Sequence, residues 1–76
     1  MDNFSHITKS PAIMGGKACI RGMRVTVSMI LGQLASGKTA QEILDDYPYL
    51  EQEDITQALQ YAAWLAEERE YSLEEA

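Results

Sequence analysis

Residues 32–39 read GQLASGKT, a G-x-x-x-x-G-K-T string. In a nucleotide-binding loop, that spacing lets glycine amides, a lysine and a threonine hydroxyl cradle phosphate and Mg²⁺. The same letters also suit a different job, ending one helix and starting the next. The flanking residues decide between them. Val27, Ile30, Leu31, Leu34 and Ala35 recur at i, i+3, i+4, i+7 and i+8, so the apolar period of a helix runs straight through what should be loop. Thr26 or Ser28 can cap that helix, and Gly37 stands where a left-handed C-terminal residue belongs. Thr39 with Glu42 three residues on spells a capping box for a second helix, whose apolar stripe is Ala40, Ile43, Leu44 and Tyr47 and which Pro48 stops. Only 31 residues precede the string and 37 follow it, too few for several βα units of ~30 residues each. The match to a phosphate loop is therefore an accident of two helix ends.

Working outward, a third helix is expected from about Gln52 to Glu70. Glu53 and Asp54 lie at its positive dipole end, and Ile55, Ala58, Leu59, Ala62 and Ala66 form its core face. Upstream, KACIRGMRVTV reads as a short hairpin, Ala18 to Ile20 against Arg24 to Val27, with Gly22 supplying the turn. Before it, HIT and AIMGG suggest extended chain wrapped over the domain. The expected fold is mainly α, a three-helix helix-turn-helix domain with an N-terminal β-hairpin and extended arm. It forms a single domain over 1–76, with arm and hairpin at 1–26, helices at 27–70 and a frayed tail at 71–76.

The 46% hydrophobic and 24% charged composition describes an ordinary globular chain. No apolar run approaches the ~18 residues of a membrane span, and MDNFSHITKS lacks the pattern of a signal peptide, so a cytoplasmic protein is expected. Charge is divided. Residues 1–38 carry five basic groups against Asp2, net +4, and residues 39–76 carry eleven acids against Arg69, net −10. Only the first half can attract a phosphate or a carboxylate-lined cavity.

No residue pattern argues for catalysis. His6 is the sole histidine and Cys19 the sole cysteine, so neither a metal site nor an activated thiol is expected, and no cofactor. On the third helix, Gln57, Tyr61, Trp64, Glu68 and Tyr71 gather on a stripe roughly opposite Ile55, Leu59 and Ala66. Either the N-terminal arm folds back over Trp64, or Tyr61, Trp64 and Tyr71 form a contact surface for a partner or a second copy. The contact surface is the expectation adopted.

The run from His6 to about Ala63 resembles the Domain of Unknown Function 433 family. The matching stretches are I-T, P-x-I-x-GGK, I-R-G-x-R-V, A-S-G, E-I-L-x-D-Y-P-x-L and E-D-I-x-x-A-L-x-Y-A-A. Departures are Ala18 and Thr26 where proline is common, and Met23 and Glu51 where threonine is common. The resemblance implies a small homeodomain-like helical fold with an N-terminal hairpin. It also implies an antitoxin role, because such members are commonly regarded as antitoxins beside a PIN-like nuclease toxin. On that reading Lys17, Arg21 and Arg24 of the hairpin meet the toxin's carboxylates. The alternative is a DNA-binding regulator, alone or as a homodimer on operator DNA. The acids Glu51, Glu53 and Asp54 at the start of the last helix would oppose a polyanion, so DNA contacts would fall to Lys9, Lys17, Arg21, Arg24 and Lys38.

Overall fold

The computed structural model describes residues 4–75, with side chains as far as Glu67. The chain order is strand β1 (Ile7–Thr8), a 3₁₀ turn (Met14–Gly16), strand β2 (Cys19–Ile20), then helices α1 (Val27–Ala35), α2 (Ala40–Asp46) and α3 (Gln52–Glu75).

GQLASGKT is a helix joint. Gly32 lies inside α1, which is capped at its start by the Thr26 hydroxyl accepting from Met29 N–H at 3.0 Å. At its end Gly37 takes φ +105°, a value strained for any residue with a Cβ. Gly37 N–H donates to the Leu34 carbonyl at 3.0 Å and Lys38 N–H to the Gln33 carbonyl at 3.1 Å, the paired bonds of a Schellman stop. Thr39 then begins α2 with both halves of the capping box formed. Its hydroxyl accepts from Glu42 N–H at 3.1 Å, and its own N–H donates to the Glu42 carboxylate at 2.8 Å.

The hairpin is present in a modified form. Arg21 and Gly22 both take left-handed φ, +46° and +72°, in a turn closed by Met23 N–H donating to the Ile20 carbonyl. The returning chain makes a single bridge, Cys19 opposite Thr26, rather than a ladder. The regular antiparallel pairing lies on the other edge of β2, with Ile7 opposite Ile20 and Thr8 opposite Cys19. The segment read as merely wrapped chain therefore contributes a strand. Two-residue strands leave no sequence period to find, because alternation needs about four residues to show.

The core gathers Ile20, Val25, Val27, Ile30, Ile43, Leu50, Ile55 and Ala58, drawn from the hairpin, all three helices and the turn between α2 and α3. α1 and α2 bury the expected faces except at Ala35, the last residue of α1, which is exposed, with Leu31, Leu34, Ala40, Leu44 and Tyr47 packed at the margin. α3 is rotated from expectation. Ile55 and Ala58 are buried, but Leu59 is 48% exposed and Ala66 also faces out. The inward stripe is instead Asp54, Ile55, Ala58 and Tyr61, at i, i+1, i+4 and i+7. Two polar residues, Asp54 and Gln57, are buried within this turn of the helix because the N-terminal segment supplies their partners. α3 also continues past Glu70 to Glu75, through the stretch expected to fray, since YSLEE contains no glycine or proline to end it.

Candidate functional site

Asp54 is fully buried and forms the centre of a polar clasp. Its Oδ1 accepts from His6 Nδ1 at 2.6 Å and from Arg21 Nε at 2.9 Å. Its Oδ2 accepts from Arg21 Nη2 at 2.8 Å and from the Glu51 backbone N–H at 2.7 Å. The last of these caps the start of α3 from its own third residue. Burial pushes the Asp54 carboxyl up, but donation from Arg21, Glu51 N–H and His6 outweighs it and holds the pKa at about 2. The same pairing raises the Arg21 guanidinium. Arg21 Nη2 also donates to the Tyr49 carbonyl at 3.0 Å, which ties the turn between α2 and α3 to the hairpin tip. These contacts hold Arg21 in its left-handed backbone conformation, an uncommon state for a residue with a side chain.

Gln57 extends the clasp. Its Oε1 accepts from His6 N–H at 2.8 Å, and its Nε2 donates to Glu53 at 2.9 Å and to Ser5 at 3.4 Å. One turn further along α3, the Phe4 ring meets Tyr61 edge-on at 5.5 Å and lies 6.1 Å from Trp64. The arm does fold back against Tyr61 and Trp64, as the first of the two readings has it. Tyr61 and Trp64 are half-buried by the chain's own N-terminal segment, and the side chain of Tyr71 lies outside the described residues.

The cations do not act as one group. Arg21 is committed to Asp54, and Lys38, in the α1–α2 joint, pairs with Asp46 at the far end of α2. Among the described residues, Lys9, Lys17 and Arg24 have no carboxylate within ion-pair distance, and all three are exposed. Lys9 and Lys17 stand at the lip of a groove of about 380 Å³, whose wall is formed by Val27 and Leu31 of α1 with Tyr61 and Leu65 of α3. Arg24 lies over the adjoining 3₁₀ turn, its Nη1 3.9 Å from the Met14 sulfur. Basic lip and apolar wall together suit a partner that is acidic and has apolar anchors.

His6, Glu51 and Asp54 bring one ligand-type atom each within 4.8 Å of one another. This arrangement does not suit a cation. The two Asp54 oxygens already accept four hydrogen bonds, which fills a carboxylate's acceptor capacity, and the Arg21 charge is adjacent. No helix among the described residues is long and apolar enough to cross a membrane.

The model of a protein family of unknown function, DUF433, matches residues 7–62. The chain belongs to the DUF433 family. The matched span of this DUF433 chain holds Lys9, Lys17, Arg21, Arg24, Asp54 and Tyr61 and stops short of His6 and Trp64 on either side. An uncharacterized protein, y4eO of Sinorhizobium fredii (strain NBRC 101917 / NGR234), is 38% identical over 56 residues, which cover 74% of this chain and 25% of that protein. The chain thus spans about a quarter of that relative's length. The crystal structure of a DUF433 member from Anabaena variabilis ATCC 29413 superposes with a TM-score of 0.77 at 30% identity. The match covers 88% of this chain and 66% of that one.

Sequence reasoning found the cations but missed the clasp. The available signal was Asp54 at the third position of a helix whose cap, Glu51, has a carboxylate in place of a hydroxyl. An acid there reaches back to the cap N–H. Nothing local to Asp54 announces a histidine 48 residues upstream.

Proposed function

We propose that this DUF433 chain is the antitoxin of a type II toxin–antitoxin pair, binding and neutralising a PIN-like nuclease by protein–protein contact. The division of its cations carries the reading. Arg21 and Lys38 are spent within the molecule, whereas Lys17 and Arg24, with Lys9 beside them, are exposed around one turn and one apolar groove. A nuclease of that kind works with carboxylates that gather divalent metal, so its mouth is negative. Arg24 can offer such a carboxylate two parallel hydrogen bonds, Lys17 a mobile point charge, and the groove a place for an apolar anchor. No cofactor and no chemistry of its own enter this role. The experiment pairs the chain with a PIN-like nuclease sought in the neighbouring reading frame and measures residual cleavage. Arg24→Glu and Lys17→Glu should each weaken inhibition at least ~tenfold, since each sets like charges against each other. Undiminished inhibition by both variants rejects the assignment.

Operator binding by the helix-turn-helix is a second reading, with one observation in its favour. Burial of Asp54 leaves only Glu51 and Glu53 as exposed acids at the start of α3, fewer than the sequence suggests. Two outward carboxylates still oppose a phosphate backbone, so Lys9, Lys17 and Arg24 would have to supply the contacts. A gel shift on the upstream DNA across a salt series tests it. Retardation that weakens steeply with salt supports it.

A further inference from the structure

The lysine-lipped groove has an occupant of matching chemistry in the chain itself. α3 supplies Tyr61 and Leu65 to the groove wall and then runs on to Glu75. The ten residues after Leu65 advance ~15 Å as helix. That stretch, AEEREYSLEE, carries five glutamates against Arg69, with Tyr71 and Leu73 as its large apolar residues. We propose that two copies of this chain pair reciprocally, with third helices antiparallel and the acid-rich end of each lying in the other's groove beside Lys9 and Lys17.

Three observations converge on a second copy rather than a foreign helix. The groove is open and apolar, with Leu65 37% exposed on its wall, and Lys9 and Lys17 are without a carboxylate partner among the described residues. The complementary charge sits on the same helix that forms the wall, directly beyond it. An antiparallel crossing near Leu65 therefore places each acidic end over the opposite groove, and one two-fold axis satisfies both sites and closes the assembly. The two halves of the sequence, net +4 and net −10, come to lie against each other, which offsets the repulsion between two chains of net −6. The inference holds whether or not a nuclease is the partner. Where one is, toxin and second copy compete for Lys17.

Sedimentation equilibrium on the full chain tests it, with no nuclease present. The wild type should show twice the 8.5 kDa chain mass at low salt and lose affinity at ~1 M salt, where the screening length is about 3 Å. Lys9→Glu with Lys17→Glu should weaken self-association ~100-fold, and so should Glu67→Lys with Glu70→Lys, because each sets like charges in contact. An equimolar mixture of the two reversed variants should recover the dimer, since each groove then meets an end of opposite sign. Circular dichroism confirms that each variant is folded; a variant that is not is replaced by its single substitution. A wild type that stays at monomer mass, reversed variants that pair as well as wild type, a mixture that fails to recover, or mass that grows past the dimer with concentration would each overturn the proposal.

Discussion

Two places in this small domain bring positive groups to the surface of α3, and they differ in nearly everything else. At the clasp, the Arg21 guanidinium, with the His6 ring beside it, meets a carboxylate that is fully buried and whose acceptor sites are all filled. At the groove, Lys9 and Lys17 stand over apolar wall with no such partner among the described residues. A buried charge must be matched within the fold, because leaving it unpaired costs several kcal/mol. An exposed ammonium carries no such penalty and remains available to another molecule. The type of residue does not separate structure from recognition here. The carboxylate at Asp54 does.

Substitutions can break or sharpen that contrast. The largest effect is expected from Asp54→Ala, which unties the arm, the hairpin tip and the start of α3 together. A loss of about 1.5–3 kcal/mol from the hydrogen bonds to its carboxylate, against about 4–11 kcal/mol for the whole of a chain this size, should move the midpoint of a urea titration well down. A loss below ~0.5 kcal/mol, the level of an ordinary surface site, would erase the distinction between the two regions.

Acid should act through the same group. The Asp54 carboxyl is lowered from 3.8 to about 2 on folding. Its contribution is therefore complete above the unfolded value, and it is lost as pH falls from near 4 toward 2. That loss is about 2 kcal/mol. Asp54→Asn should flatten this portion of the stability–pH curve, and an unchanged slope in the variant would assign the acid sensitivity elsewhere.

A smaller effect is expected where the arm meets the aromatic stripe. Phe4→Ala removes two ring contacts, worth ~0.5–1.5 kcal/mol each. Because Trp64 is the chain's sole tryptophan, its emission should move to longer wavelength as water reaches it. An unmoved spectrum would argue against arm coverage in solution.

The smallest change belongs to the groove. Lys17→Glu should shift thermal stability by no more than ~0.5 kcal/mol, while abolishing whatever association the lip supports. A large loss of stability instead would mean that the lip, too, is part of the scaffold.

The sequence made the helical half legible for a definite reason. Gly37, Thr39 with Glu42, and the periodic Val27–Leu34 and Ala40–Tyr47 runs are local signals, each interpretable within one or two turns of chain. Leu59 misled because its hydrophobicity fits the α3 period as well as Tyr61 does. The winning face was chosen by Phe4, Ser5 and His6, distant in sequence, which solvate Asp54 and Gln57 in place of water. The site was half legible for the same reason. The exposed cations can be counted from composition, but which of them are already paired depends on contacts across the fold, such as Arg21 with Asp54 and Lys38 with Asp46.

The joint between α1 and α2 bears on how the gene can change length. Only Ser36, Gly37, Lys38 and Thr39 separate the two helices, and every one of them or its immediate neighbours is engaged in stopping the first or launching the second. One extra residue there would uncouple both caps and swing α2, with Ile43, out of register with its neighbours. The stretch around Pro11 and Ala12, exposed and bonded only to itself, should by contrast accept added residues, so insertions among relatives and engineered tags alike belong there.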